Sequence, residues 1–371
     1  MARIVTVYRD SRGVFQPVEM GVIRWLKISE ALARRGHSVD IATNETFSPA
    51  MERAVAEHGL RLRCVPLRDV CWSDYDVVKT LFDLGFQTLE KYGGAGHPFI
   101  ISKLGSVVDA HDREGIYFYG AYREELYGVQ ERINESSRYV TVLSEGAREL
   151  WVELFGPKQN ILLVPGAADR EIPALGDDPF PPGDHTRVLF AGNVYTRDHQ
   201  GEANEVLVAK LNVLGERLRN RGCRLYMIGV GDVSRLDPEC VTYLGFVSHD
   251  EAWNFFGHAH VGVVVSAGQF MHNNESTKIY HYLRAGLPVV SESGFPNDDV
   301  VRQAGLGFVV DSGDLAAMAQ RVEDASRATW DRASTIRYMM EHHTWDKRVE
   351  VYEDLFRQHS IVTEPCGYCQ L

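Results

Sequence analysis

The strongest constraint on this chain is a repeated alternation of short β-rich runs with helical patterns, because strands joined through helices return parallel to one another in a single sheet. It opens with a β-rich run at Ile4 to Tyr8, a helical pattern from Gly21 to Arg35 and a second run at Ser38 to Thr43, a βαβ start. Further strands are expected at Leu62 to Pro66, Asp76 to Leu81, Phe99 to Lys103, Tyr139 to Leu143 and Ile161 to Val164. The stretch from Ala167 to Thr186, which contains ALGDDPFPPGD, has the proline, glycine and acid content of a linker. A second alternation then starts, with strands near Val188 to Ala191, Arg224 to Ile228, Val241 to Leu244, Val261 to Val265, Pro288 to Ser291 and Gly307 to Val310. The pattern predicts an α/β chain of two doubly wound domains, 1–170 and 187–345, joined by a linker at 171–186 and followed by a C-terminal helix and tail at 346–371.

Length and composition agree with this division. A chain of 371 residues exceeds what one hydrophobic core usually supports, and 44% hydrophobic with 24% charged residues is ordinary for a globular protein. The formal net charge of -12 argues against broad nucleic-acid binding, which needs a basic surface to displace counterions from phosphates. The opening MARIVTVYRD has too short an apolar run for a signal-peptide core or a membrane span, so the expected location is cytoplasmic. The six cysteines are scattered, and Cys366 and Cys369 form a single CxxC without the second pair that a structural zinc site needs. The expectation is a tail with incidental cysteines and no metal site.

The most legible local segment is ESTKIYHYLRAGLPVVSE, Glu275 to Glu292. Glu275 and Ser276 lie where a helix begins, Ile279, Tyr282 and Leu283 repeat at helical spacing, Gly286 suits a left-handed cap and Pro288 prevents continuation. A strand follows at once. Unpaired N–H groups at such a helix start, with Lys278 in its first turn, make a place for phosphate. The plainer reading of Lys278 is a solvated lysine, and that of Ser276 or Thr277 an ordinary N-cap.

The run STKIYHYLRAGLPVV resembles the donor-binding segment of the GT-B glycosyltransferases, of the family 4-like, group 1 type, which use nucleotide-activated sugars. RYVTVLSEGARELW with NILLVPGAAD resembles the end of that family's N-terminal domain. VLFAGNV resembles the opening strand of its C-terminal domain, and LYMIGVGD, VTYLGFVSHDEAWNFFGHAHVGVVVS and HTWDKRVEVYEDLF follow in the family's order. The resemblance covers nearly the whole chain. It implies a GT-B architecture of two Rossmann-like domains facing across a cleft, an acceptor domain followed by a donor domain, with the final helix crossing back onto the first.

The chain also departs from the family pattern. Many members carry two glutamates separated by seven residues; here Asn273 stands at the first position, Glu275 two places late, and His281 at the second, where the family holds the nucleotide ribose. His281 can accept a ribose hydroxyl or can be a packed ring. After VLFAGNV, where retaining members place an arginine and a lysine on the diphosphate, Asn193 and Asp198 stand, with Arg197 close enough to substitute and Gly192 allowing close backbone approach. A lysine without the glutamates is similar to the bacterial inverting glucuronosyltransferases, a weaker likeness.

Other candidates follow from strand ends, where open α/β sheets bind ligands. Phe246 and Val247, before a helix capped by Ser248, are placed to border the nucleobase, and Ser266 ends a strand where donor hydroxyls can be met. An inverting transferase needs a base for the acceptor hydroxyl, and KLGSVVDAHDREG offers Asp109 first, then His111 and Asp112, against the alternative of a loop of solvated charges. Arg9, Asp10 and Arg12, in the loop after the first strand, can steer acceptor or donor phosphate, or can pair on the surface; Glu19 and Lys103 are weaker candidates.

The resulting expectation is a glycosyltransferase that moves a sugar from a nucleotide-sugar co-substrate, UDP-linked, to a glycan, lipid-linked or small-molecule acceptor, without metal or other cofactor and without nucleic acid as a partner. Two alternatives keep the fold: a nucleotide-sugar epimerase, which needs acidic residues around the sugar, and a non-catalytic nucleotide-sugar-binding relative. Arg34, Arg35, Arg53, Arg61, Arg63 and Arg68 make the first domain locally basic, and peripheral membrane contact is a minority reading.

Overall fold

The computed structural model describes residues 1–11, 15, 20–109, 120–157, 160–268 and 274–362, with the side chains of 20, 120, 121 and 197–200 excepted. These residues divide into two compact units. The first takes residues up to 109, Gly120–Pro165 and those from 345 onward; the second takes Gly166–Thr344.

The first unit holds seven strands: β1 (Arg3–Val7), β2 (Ser38–Ala42), β3 (Leu62–Val65), β4 (Val77–Leu81), β5 (Ile100–Lys103), β6 (Tyr139–Val142) and β7 (Ile161–Leu163). They form one parallel sheet in the order β3-β2-β1-β4-β5-β6-β7. Helices α1 (Met20–Arg34), α2 (Pro49–Glu57), α3 (Phe82–Lys91), α4 (Gly120–Ser136) and α5 (Glu145–Phe155) connect them. The local chemistry is ordinary. Ser48 and Ser144 cap α2 and α5 by accepting from the N–H groups of Met51 and Ala147, and Pro49 occupies the start of α2, where its missing donor costs nothing. Central strands such as β4 are buried along their length, as a sheet covered on both faces requires.

The second unit continues with β8 (Thr186–Ala191), α6 (Arg197–Arg219), β9 (Cys223–Ile228), β10 (Val241–Tyr243), α7 (His249–His258), β11 (Val261–Val264), α8 (Thr277–Arg284), β12 (Val289–Glu292), α9 (Asp299–Gln303), β13 (Gly307–Val310), α10 (Leu315–Arg327) and α11 (Arg332–His342). Its sheet is parallel in the order β10-β9-β8-β11-β12-β13. One core packs α6 and α10 on one face, through Leu207, Leu211, Met318 and Val322. The other packs α7, α8, α9 and α11, through Phe255, Ile279, Val301 and Met339. In each sheet the strand order reverses once, between β1 and β4 and between β8 and β11, and such switch points are where the loops diverge to leave a ligand crevice.

Two short helices, α12 (Trp345–Arg348) and α13 (Glu350–Gln358), close the described chain and belong to the first unit. Trp345, Tyr352, Leu355 and Phe356 are buried there. An ionic seam accompanies this apolar face: Arg34 to Asp346 at 3.0 Å, Arg35 to Glu350 at 2.9 Å and His37 to Glu353 at 2.5 Å. Arg63 pairs with Asp40 at 2.8 Å and Arg68 lies 3.7 Å from Asp69. Four of the six arginines that make this part of the sequence basic therefore face carboxylates.

The expected linker is not a free spacer at its beginning. Ala167, Ala168 and Asp169 are buried, and the Ala168 N–H donates to the His343 carbonyl at 2.8 Å.

Candidate donor site

The second unit gathers its distinctive side chains at its switch point. Tyr282 fixes α8 there: its hydroxyl accepts from the Ala191 N–H at 2.7 Å and lies 3.3 Å from the Leu189 carbonyl, at the end of β8. Its ring covers β11 at Gly262, where a β-carbon would meet ring carbon Cε2 at 2.7 Å, which explains a glycine inside an otherwise apolar strand.

One turn earlier on α8, Lys278 reaches over the backbone that follows β8. A β-carbon on Gly192 would lie 2.8 Å from the Lys278 ammonium, so the absence of a side chain at 192 makes room for this cation. The ammonium is 5.2 Å from the Phe190 ring centroid. No carboxylate pairs with Lys278 among the described residues, and burial pulls its pKa down to about 8. A half-buried cation at a helix start, without a counter-charge, is a site that an anion completes.

The loops beneath are stitched together. The Asn193 side-chain oxygen accepts from the Val230 N–H at 3.1 Å, and Gly229 and Gly231 adopt φ of 141° and 123°. A β-carbon at Gly229 would meet the Gly192 carbonyl carbon at 2.7 Å. Asn193, expected at the donor, is thus a link between the loops after β8 and β9. Arg197 opens α6 beside them; its side chain lies outside the described residues.

The start of α8 is held by other partners than its sequence suggests. Ser276 precedes the helix without a side-chain cap, and its backbone N–H donates to the Asn297 amide oxygen at 3.0 Å while Asn297 donates back to the Ser276 carbonyl at 2.9 Å. The Ser276 hydroxyl is buried and unpartnered. Thr277 is half-buried at the first helical position. Glu275 does not face a ligand: one oxygen accepts from the Tyr280 hydroxyl at 2.6 Å and the other from the Gly166 N–H. Donor contact by Glu275 is therefore corrected to a strut that ties α8 to the segment beginning at Gly166.

His281 is also corrected. Its ring is 5% exposed, it packs 5.1 Å from the His249 ring and 6.4 Å from Phe256, and neither nitrogen has a partner or an accessible face. Burial, with His249 beside it, pushes its pKa down to about 3, so the ring is neutral. A packed ring, not an exposed ribose ligand, is what the structure holds. Its neighbours form a second grip on the 166–171 segment: His249 Nε2 lies 2.9 Å from Asp169, Arg284 lies 3.6 Å from the same carboxylate and 4.6 Å over the Trp253 ring, and Arg284 donates to the Glu171 carbonyl.

At the end of β10, Phe246 is 50% exposed, and Val247 packs against the core below α7. The Ser248 cap is present as a complete capping box with Glu251. Ser266 is buried, and its hydroxyl is spent on the turn, donating to the Gly268 carbonyl at 2.9 Å and accepting from the Gly268 N–H at 3.1 Å. Direct donor contact by this hydroxyl is a further correction.

In the first unit, Asp10 accepts from Lys91 at 2.7 Å, Tyr92 at 2.6 Å and Asn44 at 2.6 Å, and the Lys91 bond leads in holding its carboxyl below the usual range. Its partners among the described residues thus include a lysine from α3. Arg9 lies 5.3 Å over the Tyr8 ring. Asp109 is half-buried, and the adjoining Val108 is clamped by Gln130 of α4 through bonds of 2.9 and 2.8 Å. Lys103 is fully buried and donates to the Val164 carbonyl at 2.6 Å, so it is a core strut. Arg12, Glu19, His111, Asp112 and Asn273 lie outside the described residues, as do Cys366 and Cys369. Among the described residues no cluster of three or more His, Cys, Asp or Glu could hold a metal ion.

Three elements of the site escaped the sequence reading: the Asn297 clamp, the use of Glu275 by Gly166 and Tyr280, and a buried pair formed by Lys210 and Glu292. Only the last had a visible signal, a charged residue ending the apolar strand VVSE.

Residues 210–341 match the family model described as glucosyltransferase 3-like, C-terminal domain. A comparison with curated proteins finds no match. Among solved structures, the chain is similar to a sucrose-phosphate synthase from Thermosynechococcus elongatus, with a TM-score of 0.67 at 16% identity over 97% of this chain and 100% of that one. It is similar to HepE from Anabaena, solved with UDP and glucose, with a TM-score of 0.67 at 10% identity over 96% and 99% of the two chains. AviGT4, a glycosyltransferase of avilamycin A biosynthesis, gives 0.64 at 16% identity over 96% and 98%. The chain thus has the two-sheet α/β fold of these solved glycosyltransferase structures, and within its second unit residues 210–341 match the glucosyltransferase 3-like C-terminal domain model.

Proposed function

We propose that the protein transfers a sugar from a UDP-linked donor to a hydroxyl of a glycan, lipid-linked or small-molecule acceptor. The observation that carries this reading is Lys278: a half-buried cation without a carboxylate partner among the described residues, seated over Gly192 at the switch point of the second sheet. A diphosphate supplies the missing charge, and the N–H groups at the head of α8 add donors. The UDP assignment is supported by HepE, a fold neighbour solved with UDP and glucose. Exposed Phe246 then offers a flat apolar face to the base.

Catalysis on this reading removes a proton from the acceptor hydroxyl as it attacks the anomeric carbon, and Asp109, next to the clamped Val108, is our choice of base, with His111 and Asp112 as its sequence neighbours. Arg9 is assigned to acceptor or phosphate steering. No metal is assigned to the diphosphate, whose charge Lys278 and the helix start are proposed to meet. An epimerase is disfavoured because Glu275, the acid closest in sequence to Lys278, is committed to Gly166 and Tyr280.

Calorimetry with UDP, GDP, ADP and dTDP tests the reading. Selective binding of UDP that Lys278→Ala weakens supports it; binding of none of the four refutes it. Retained UDP binding with no transfer from any UDP-sugar across an acceptor panel would favour a non-catalytic relative. No helix among the described residues is long and apolar enough to cross a membrane. We assign the protein to the cytoplasm. Peripheral membrane contact is weakened by the pairing of Arg34, Arg35 and Arg63, and no co-flotation with anionic liposomes at low salt would remove it.

A further inference from the structure

The second unit carries a set of cross-links between loops that the donor reading leaves without a task. The loops after β9 and β10 are glycine-punctuated, and Gly229, Gly231 and Gly245 take φ of 141°, 123° and 88°. Glycines open many conformations to a loop, so such loops keep one arrangement only where other bonds hold them. Gly229 is the joint. Its N–H donates to the Gly245 carbonyl at 3.0 Å and its carbonyl accepts from the Tyr243 hydroxyl at 2.8 Å, which ties the loop after β9 to the end of β10. On its other side the Gly192 N–H donates to the Ile228 carbonyl and the Val194 N–H to the Val230 carbonyl, both at 2.9 Å, alongside the bond between Asn193 and Val230.

Asn204 closes the far end of the same seam. It lies within α6 and is fully buried, with Ala203, Leu207 and Val208 of the apolar core beside it in sequence. Its amide nitrogen donates to the Tyr195 carbonyl at 2.6 Å and to the Asp232 carbonyl at 3.0 Å, one residue from each loop. Its amide oxygen is buried with no hydrogen-bond partner. An amide with one unserved atom in an apolar core costs stability that a leucine would not, so its contribution is the pair of donors.

These links set a length. The exposed Phe246 follows β10, Gly192 follows β8, and β9 lies between the two strands. Two strand spacings separate those ends, roughly 10 Å. A nucleotide whose base meets Phe246 and whose diphosphate meets Lys278 over Gly192 has to span that interval.

We propose that Tyr243 and Asn204 are positioning residues that preset the interval between the base-facing loop after β10 and the phosphate-facing loop after β8, so that the second unit meets a nucleoside diphosphate as one rigid length. The proposal rests on the donor reading above. Neither residue touches the ligand. Loops that are already aligned relieve the ligand of the cost of ordering them, and only a ligand held at both ends feels the difference.

The test is UDP binding, measured by calorimetry on the full chain as wild type, Phe246→Ala and Lys278→Met, each with and without Tyr243→Phe. Tyr243→Phe is expected to weaken UDP about three- to tenfold in the wild-type background, the effect of one lost hydrogen bond. With either anchor removed, the same substitution is expected to change affinity by less than about twofold, because a ligand held at one end does not read the interval. A role in general stability predicts the same loss in all three backgrounds. Asn204→Leu should give the same pattern as Tyr243→Phe. The latter removes one hydroxyl from a partly exposed ring and remains readable if Asn204→Leu fails to fold. Equal loss in every background overturns the proposal, as does unchanged affinity of Tyr243→Phe in the wild-type background. Abolition of binding in both single-anchor backgrounds also overturns it, since each anchor has to hold the ligand by itself for the interval to matter. In each of these cases UDP binding by the wild type leaves the donor reading standing. A wild type that binds no UDP overturns the donor reading itself, and the proposal with it.

Discussion

Lys278 sets a pH dependence on donor binding that can be worked out in advance. Without ligand, burial lowers its pKa from the usual 10.5 to about 8, so the ammonium is mostly charged at pH 7 and mostly neutral at pH 9. A diphosphate beside it favours the charged form and raises the pKa of the bound state. Two unit charges about 4 Å apart attract by about 4 kcal/mol at an effective dielectric near 20, and desolvation leaves a net contribution of about 1.5–3 kcal/mol for a charge-assisted contact. Lys278→Met should therefore weaken UDP roughly 10- to 100-fold at pH 7. Only the protonated lysine gives this contribution, so affinity is full below the free-state pKa and is lost as pH rises above it. From one unit below to one unit above that pKa, the wild-type dissociation constant should rise about tenfold. UDP contributes little to this slope, because the second ionisation of its terminal phosphate lies near pH ~6. Calorimetry at pH 7, 8 and 9 reads the slope, and repetition at pH 8 in buffers of different ionisation enthalpy should show about half a proton taken up per UDP. A wild-type affinity that is flat over this range, or a Lys278→Met variant that binds UDP as tightly as wild type, would refute the assignment.

Three further outcomes follow from the same geometry. In the ligand-free protein Lys278 is charged at a cost, since its folded-state pKa is lowered: the penalty is present below pH ~8 and disappears as pH rises toward 10.5, so Lys278→Met should stabilise the apo protein at pH 7 by about 1–2 kcal/mol after discounting for solvent exposure, read as a rise in Tm that shrinks by pH 10. Glu275→Ala strands the Gly166 N–H and the Tyr280 hydroxyl and should cost about 2–4 kcal/mol in urea unfolding, with Glu275→Gln recovering part of it; equal stability of all three proteins would show that the strut is not made. His281→Leu should leave UDP affinity within about twofold, because the ring is neutral and packed; a loss of tenfold or more would restore His281 as a ribose ligand and show that it turns outward on binding.

The corrections share one cause. Glu275, Ser266, Asn193 and His281 were singled out because they are polar residues at strand ends or on the donor helix; the first three are polar for a reason internal to the fold, and His281 is a packed ring with neither nitrogen hydrogen-bonded. Glu275 serves a backbone N–H at Gly166, 109 residues away in sequence, and Ser266 serves its own turn. Nothing in the local sequence distinguishes a hydroxyl that faces a ligand from one that closes a turn. Lys278 is different, because a lysine has no acceptor capacity and cannot be satisfied by the N–H groups around it.

By itself the sequence determined the α/β class, the thirteen strands of the described residues to within about two residues of the observed ends, the two-sheet division and the Ser248 capping box, because these rest on periodicity, β-branched runs and turn residues within short windows. It also marked Lys278 as a phosphate-binding cation and, separately, Gly192 as a place of close backbone approach. Tertiary structure decided that Gly192 is a glycine because Lys278 lies over it, that Gly262 is one because Tyr282 does, and that Glu292 receives Lys210 across 82 residues. Those contacts depend on strand order, in which β8 lies beside β11 and not beside β10, and strand order is set by how helices cover both faces of the sheet, a global packing outcome that no local pattern encodes.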